Sequence, residues 1–187
     1  MSSAPPQPTV LLTLEGIVHN AHLFNALHTH ANVFTVKSKA EALSFLAAHT
    51  PHAVLLTDAA LSTDAYRDLC ERLHSYVLSG GIAVMCNEFS SFLKTPVFNR
   101  WIYHRTDFYL NRAAAAVCLL PGLLPVYSMK ASSLKGVDAP SRVYQPAEDS
   151  FTQSNVFAPE RVQDQTQAPV AYRMVGRGWL GYVGDVN

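Results

Sequence analysis

Cys86 lies where an apolar run gives way to polar residues, in the stretch GGIAVMCNEF. A cysteine in such a place is a candidate nucleophile if its pKa is lowered and a base lies within hydrogen-bond reach. The alternative is a buried, unreactive thiol, because free cysteine is among the most buried residue types. The next two residues, Asn87 and Glu88, would line the same site as part of a ligand pocket.

The first candidate for a catalytic base is His104, in the stretch WIYHRTDF. This irregular segment follows the run that ends at Cys86, so it could fold over the end of that strand. His19 is the second candidate. Within the same segment as His104, the aromatic residues Trp101 and Tyr103 are expected either to wall a pocket or to fill the core.

The other cysteines and the histidines do not suggest a metal site. Cys70 lies among apolar residues of helical spacing and Cys118 lies in AVCLLP, so both are predicted to be packing residues. Three cysteines at irregular spacing argue against a disulfide framework and against a four-cysteine zinc site. His19 and His22 are three residues apart, but no Glu-containing His-x-x-x-His motif accompanies them. We therefore expect no metal, no cofactor and a reducing, cytoplasmic location.

The elements that must position these residues alternate along the first half of the chain. Apolar runs rich in Val and Leu predict strands at 9–14, 32–36, 52–58 and 82–86. Apolar residues at helical spacing predict intervening helices over 20–30, from Ser38 to just before Pro51, and from Thr63 to Ser79. Ser38 followed by Glu41 is a capping box for the second of these helices.

Strands that alternate with helices indicate a parallel sheet, because parallel neighbours need a crossover connection. We therefore predict an α/β fold with a flavodoxin-like, doubly wound, mostly parallel sheet. Ligands of such sheets bind outside the carboxyl ends of the strands. Four residues mark those ends: Glu15, Lys37, Asp58 and Cys86. Asp58 is assigned either to a ligand pocket or to a solvated or helix-capping role.

The second half of the chain has a different character. Repeated prolines between residues 87 and 167 predict loops and short strands, although AAAAVCLL from Ala113 could be a short helix or a buried strand. The final stretch VAYRMVGRGWLGYVGDVN predicts an antiparallel strand pair around Gly176-Arg177-Gly178. We expect a flexible tail over 1–8 and a single domain over 9–187.

Composition limits the partners of this domain. The chain has 187 residues, of which 49% are hydrophobic, and 14 basic residues balance 14 acidic ones. Because no net field attracts a polyanion, neither nucleic acid nor an anionic membrane is expected as a partner. No apolar run reaches the roughly 18 residues that span a bilayer, so we expect a soluble protein.

The pattern as a whole resembles the class I glutamine amidotransferase-like superfamily, and within it the ThuA-like branch. The features that carry the resemblance are the strand and helix alternation, SGG before the strand that ends at Cys86, the Trp101 loop, and the terminal GRGWLGYVGDVN. The resemblance implies a nucleophilic cysteine on a sharp turn between a strand and a helix, at the position of Cys86. It also implies that Glu15 corresponds to a glutamate that contacts this cysteine in some members. A solvated loop residue is the other interpretation of Glu15.

This sequence departs from the superfamily pattern at two places. The flanking glycines of the Gly-x-Cys-x-Gly turn are absent, since Val84 and Glu88 stand outside Met85 and Asn87. The His-x-Glu near the chain end is absent too, because GYVGDVN contains no histidine. An ordinary glutaminase is therefore not expected.

Three functional hypotheses are consistent with the residues described above. The departures favour a small-molecule-binding module with a degenerate catalytic site. The first alternative is a cysteine-dependent hydrolase or transferase that acts on a small amide, ester or carbonyl through Cys86 with His104 or Glu15. The second is a protein-interaction scaffold, which includes association with a second copy. Fold class does not choose among them, because function depends on the site.

Overall fold

The computed structural model describes residues 8–13, 21–92, 108–110, 113–118, 121–153 and 158–185. Within these ranges the α-helices are α1 (Ala21–His30), α2 (Lys39–Ala48) and α3 (Arg67–Leu78). The strands are β1 (Thr9–Thr13), β2 (Asn32–Val36), β3 (Ala53–Leu56), β4 (Ile82–Met85), β5 (Phe108–Leu110), β6 (Ala113–Cys118), β7 (Val126–Met129), β8 (Ser132–Leu134), β9 (Arg142–Pro146), β10 (Thr152–Gln153), β11 (Val170–Val175) and β12 (Gly178–Val183).

Five neighbouring strands of the main sheet are parallel, in the order β2-β1-β3-β4-β12. This is the flavodoxin-like order 2-1-3-4-5, with the last strand of the chain in fifth place. Beyond β12 the sheet continues through antiparallel neighbours β11, β9 and β6, and both β7 and β10 pair with β6. β5 and β8 form a separate antiparallel pair. The predicted α/β sheet with an antiparallel C-terminal pair is confirmed.

Helices cover both faces of the parallel strands. On one face, Phe24 of α1 packs with Val10 of β1 and is joined by Leu55 of β3. On the other face, Leu46 of α2 and Leu73 of α3 belong to the main core, which also contains Val54 and Leu56 of β3. Consecutive residues of β3 therefore point to opposite layers, as the period of a strand requires. Continuous apolar runs suit such strands because both of their faces are buried.

The predicted N-cap Ser38 begins α2, but the reciprocal half of the capping box is shifted by one residue. The Oγ atom of Ser38 accepts a hydrogen bond of 3.3 Å from the backbone N–H of Glu41. The Glu41 carboxylate accepts the backbone N–H of Lys37 at 2.8 Å, one residue before the cap. The first bond stabilises the first turn of α2, and the second links that turn to the residue that follows β2.

The C-terminal hairpin turns at Gly176 and Arg177, between β11 and β12. Gly176 has φ +61, in the left-handed region that glycine adopts without strain. At the start of β12, a Cβ atom on Gly178 would lie 2.1 Å from the carbonyl oxygen of Gly81. Glycine at this position permits β12 to approach the chain just before β4. The predicted hairpin is confirmed, and AAAAVC forms strand β6 rather than a helix.

Among the ranges given above, no helix is both long enough and apolar enough to cross a membrane.

Candidate functional site

Strands β3 and β4 end side by side at the carboxyl edge of the parallel sheet. The backbone N–H of Cys86, directly after β4, donates to the carbonyl of Leu56 at 3.0 Å. Each strand is followed at once by a short 3₁₀ helix, Ala59–Ser62 after β3 and Asn87–Phe89 after β4, and these two helices are in contact. This topology brings the segments that carry four of the predicted site residues to one edge of the sheet: Asp58, Cys86, Asn87 and Glu88.

The thiol of Cys86 is buried. The residue is 8% exposed, its backbone is extended with φ −155, and no hydrogen bond joins its thiol to any part of the chain that the structure describes. Burial raises the pKa of Cys86 to about 12, because a thiolate loses its hydration in an apolar surrounding. A nucleophilic cysteine needs the opposite shift. The thiol is therefore protonated at neutral pH and behaves as a packing group.

The sharp turn after β4 is made by Asn87 and not by Cys86. Asn87 has φ +58, and it is the one non-glycine residue with positive φ among those described. Asparagine tolerates this left-handed conformation better than most residues do. In a nucleophile elbow, the reactive residue itself occupies the strained strand-to-helix turn and is exposed there. In this chain an amide side chain holds the turn position, and the thiol lies one residue earlier.

The polar groups at this edge are mainly acceptors. Asp58 is half-buried, and its carboxylate accepts the backbone N–H of Ala60 at 2.8 Å, which caps the first 3₁₀ helix. Asn87 and Glu88 are also half-buried. Two carboxylates and one amide at the same edge suit a ligand that offers N–H or O–H donors.

Hydrogen bonds from three buried hydroxyl groups connect the segment after Asn87 to other parts of the chain. The Oγ atom of Ser90 donates to the carbonyl of Asp185 at 3.1 Å, and the Oγ atom of Ser132 donates to the carbonyl of Ser90 at 3.4 Å. The phenol of Tyr182 donates to the carbonyl of Ser132 at 2.8 Å. These bonds join the turn after β4 to β8 and to the end of β12. No sequence signal predicts these bonds, since serine hydroxyls that donate to backbone carbonyls leave no motif.

Four other predicted site residues lie outside the described residues: Glu15, Trp101, Tyr103 and His104. His19, the second candidate base, lies outside them as well. Their assignment as bases or pocket walls stays a prediction. Within the described ranges, no three His, Cys, Asp or Glu side chains come together as a potential metal site. Cys70 is 2% exposed and its thiol donates to the carbonyl of Leu61 at 3.3 Å, so it is a packing residue as predicted.

The fold is similar to that of one solved structure with a TM-score above 0.5. The chain is similar to the crystal structure of a protein assigned as a component of GMP synthase from Thermoplasma acidophilum, with a TM-score of 0.53 and 7% sequence identity. The match covers 95% of this chain and 83% of that one. At this identity the similarity concerns the fold alone.

Two carbohydrate-active enzymes contain a more distantly similar region. They are the beta-galactosidase from Bacillus circulans sp. alkalophilus (TM-score 0.49, 12% identity) and the exo-beta-1,4-mannosidase Op5Man5 from Opitutaceae bacterium strain TAV5 (TM-score 0.47, 13% identity). The matches cover 96% of this chain but 28% and 31% of those enzymes, respectively. No protein-family model and no curated protein matches the sequence.

Proposed function

We propose that this protein is a small-molecule-binding module of amidotransferase-like fold whose catalytic site is degenerate. The observation that carries the proposal is the exchange of roles at the end of β4. Cys86 is 8% exposed with a pKa raised to about 12, while Asn87 holds the left-handed turn. The edge of the sheet therefore presents an amide where the fold's enzymes present a thiolate.

The turn is also poorly built to stabilise an oxyanion. Asn87–Phe89 is a single turn of 3₁₀ helix, and the Phe89 N–H is used within that turn, where it donates to the Cys86 carbonyl at 3.2 Å. An oxyanion hole needs preorganised donors that are aimed at the developing charge. This local geometry supports binding without acyl transfer.

The ligand that fits this edge is a neutral or cationic polar molecule that carries N–H or O–H donors. Asp58 and Glu88 place two negative charges there, which disfavours phosphates and carboxylates. Asn87 supplies both an amide donor and an amide acceptor and can select orientation.

Two finer assignments accompany the proposal. We assign the chain to the ThuA-like branch, supported by SGG before β4 and by the terminal GRGWLGYVGDVN segment. We also assign it to a reducing, cytoplasmic compartment, supported by the free, buried thiols of Cys70 and Cys86.

The binding proposal is tested by nuclear magnetic resonance on the ¹⁵N-labelled chain. The probes are L-glutamine, D-glucose and putrescine, with inorganic phosphate as the anionic comparison. We expect at least one donor-rich probe to cause saturable shifts of the Asn87 and Glu88 amides, and phosphate to cause none. Glu88→Gln and Asn87→Gly should weaken this binding. Glu148→Gln, at an exposed glutamate in the turn after β9, is the matched control and should leave binding unchanged.

Hydrolysis assays separate this proposal from the enzymatic alternative. Ammonia release from L-glutamine and cleavage of p-nitrophenyl acetate are compared for the wild-type chain and for Cys86→Ser. Turnover that disappears in Cys86→Ser would establish the cysteine-dependent alternative and refute the degenerate site. Absence of any saturable shift near Asn87 with all three donor-rich probes would refute the binding module.

A further inference from the structure

Strand β2 is the last strand on one side of the main sheet, and among the described residues its outer edge is free. Within the described part of the chain it pairs with β1 alone. The backbone N–H of Asn32 donates to the carbonyl of Pro8 at 2.9 Å, so Asn32 and every second residue after it direct their backbone groups toward β1. The intervening residues Val33 and Thr35 therefore direct their N–H and C=O groups outward. The described residues provide no partner for them.

This edge lacks the features that normally prevent strands from pairing across molecules. Its sequence, NVFTV, has no charge and no proline, and its register with β1 is continuous without a bulge. Phe34 at its centre is 47% exposed. A lysine follows both edge strands, Lys37 after β2 and Lys130 after β7, but β7 is in addition preceded by Pro125. An unprotected apolar edge of this kind is a template for another strand.

Both ends of the free edge are closed within the chain. At the C-terminal end, the N–H of Lys37 is taken by the Glu41 carboxylate at 2.8 Å. At the N-terminal end, the N–H of Ala31 donates to the carbonyl of Leu27 at 2.8 Å. Val33 and Thr35 therefore carry the outward N–H donors that remain between Ala31 and Lys37, which suits a short partner strand with the same spacing.

We propose that β2 pairs antiparallel with β2 of a second copy of this chain, about a two-fold axis at Phe34. Val33 then faces Thr35 of the partner subunit, and each such pair exchanges both backbone hydrogen bonds. Phe34 faces Phe34 of the partner subunit in a non-hydrogen-bonded pair, where the Cα atoms lie about 4.5 Å apart and side chains are closest. Closed dimers with a two-fold axis are the commonest oligomers, and they require this kind of self-complementary surface.

The surroundings of Phe34 support a second copy as the occupant. Its ring packs 5.2 Å from Phe45 and 6.5 Å from His49, and those two rings are 4.6 Å apart, so Phe34 is held against α2. Because β2 carries no charge, two copies meet without the repulsion that like charges in facing positions would cause. In such a dimer both copies use the same surface, and the two-fold axis relates the two Val33–Thr35 pairs.

The test combines sedimentation equilibrium with amide hydrogen exchange over a range of protein concentrations. We expect a monomer–dimer equilibrium, with the amides of Val33 and Thr35 protected increasingly as the dimer forms. The amides of Phe34 and Val36 should be protected at every concentration, because they face β1. Protection that alternates along β2 shows that this strand forms the interface. Sedimentation alone shows only that two copies associate.

Two variants and one control locate the interface. Thr35→Pro removes an outward donor, which the monomer tolerates because that N–H makes no bond within the described chain. Phe34→Lys sets two like charges face to face and should raise the dimer dissociation constant at least about tenfold. Phe92→Lys is the control, because Phe92 is 69% exposed and follows β4, three strands away from β2. Circular dichroism shows whether each variant is folded.

Two results would overturn the proposal. One is a monomer at all concentrations whose Val33 and Thr35 amides exchange freely, and this includes a monomer whose edge binds a different protein. The other is a dimer that both folded variants leave unchanged, which would place the interface on another surface. Neither result bears on the site at Asn87, so failure here is distinguishable from failure of the ligand-binding proposal.

Discussion

The backbone N–H of Cys86 donates a 3.0 Å hydrogen bond to the carbonyl of Leu56, which extends the pairing of β3 and β4 by one residue. The thiol is thereby held in the packed layer beneath the strand ends, and the chain turns only at the next residue, Asn87. A shift of the turn by a single residue separates an exposed nucleophile from a buried thiol.

Cys86 should be almost inert toward iodoacetamide in the folded protein. Burial limits access, and a pKa of about 12 leaves a negligible thiolate fraction at neutral pH. Peptide mass spectrometry after a pH series of alkylation, with and without urea, measures this. We expect labelling of Cys70 and Cys86 on unfolding. Labelling of native Cys86 with an apparent pKa below the reference of about 8.5 would show an activated thiol instead.

Stability should fall as the pH rises above about 9, because the buried thiols cannot ionise in the folded state. Burial raises the pKa of both Cys70 and Cys86 to about 12. In the unfolded chain, thiols ionise near pH 8.5, so above that pH the folded state binds more protons than the unfolded state. The contribution of each buried thiol to the free energy of unfolding is fully present below the pKa of the unfolded state and decreases as the pH rises toward 12.

Urea unfolding at pH 7, 8, 9 and 10 under reducing conditions measures this effect. Each thiol should contribute a loss that approaches about 1.4 kcal/mol per pH unit above its unfolded pKa. Cys70→Ala and Cys86→Ala should each remove one thiol's contribution from the decrease of the unfolding free energy with pH above pH 9. This holds whatever the two variants do to stability at pH 7. An alkaline slope that is identical in the wild type and both variants contradicts the assignment.

Two replacements of Asn87 should show that the backbone at this turn requires the left-handed conformation. Glycine adopts φ +58 freely, so Asn87→Gly should change the free energy of unfolding by less than about 0.5 kcal/mol. Asn87→Ala should cost about 1 kcal/mol, because alanine is strained in the left-handed region. Urea denaturation compares the two. Equal stability of the Gly and Ala variants would show that the turn is not left-handed in solution.

Gly178→Ala should be severely destabilising. A Cβ atom there would lie 2.1 Å from the Gly81 carbonyl oxygen and 2.2 Å from that of Val77, and backbone atoms cannot move aside as a flexible side chain does. We expect a loss of about 3 kcal/mol or more in urea unfolding.

Gly122→Ala is the matched control for this substitution. Gly122 has φ +86 and no atom within 4 Å of its added Cβ, so the loss should be about 1 kcal/mol from backbone strain alone. If both alanine variants lose the same free energy, the close approach of β12 to β4 does not limit stability.

Elements defined by local signals were predicted well. β2 has the predicted bounds, and α2 begins after Ser38, whose Oγ atom accepts the Glu41 N–H as the predicted N-cap does. The hairpin around Gly176 follows from turn residues between two β-rich runs. The predicted start of α3 at Thr63 was too early, since the helix begins at Arg67 after two 3₁₀ turns, the first of them capped by Asp58.

Elements that depend on distant pairing were predicted less well. The proline-rich second half contributes β6 and β9 to the main sheet, although neither has a clear periodicity of its own. Their strand conformation is stabilised by neighbours, β6 by β7 and β9, and β9 by β11. Strand preference reflects packing on a sheet more than an intrinsic backbone property, so such segments are ambiguous in isolation.

The candidate site shows the same difference between features set by local sequence and features set by long-range contacts. Residue types and the strand and helix rhythm placed Asp58, Cys86, Asn87 and Glu88 at strand ends, because apolar runs stop where the chain leaves the core. Cys86 continues the pairing with β3 through its hydrogen bond to Leu56, so the chain turns at Asn87, and the thiol is 8% exposed in the assembled structure. Local pattern therefore defined the fold class and the edge that carries the site. The chemistry available at that edge was set by long-range contacts, since burial and the pKa that follows from it exist only when the strands are assembled.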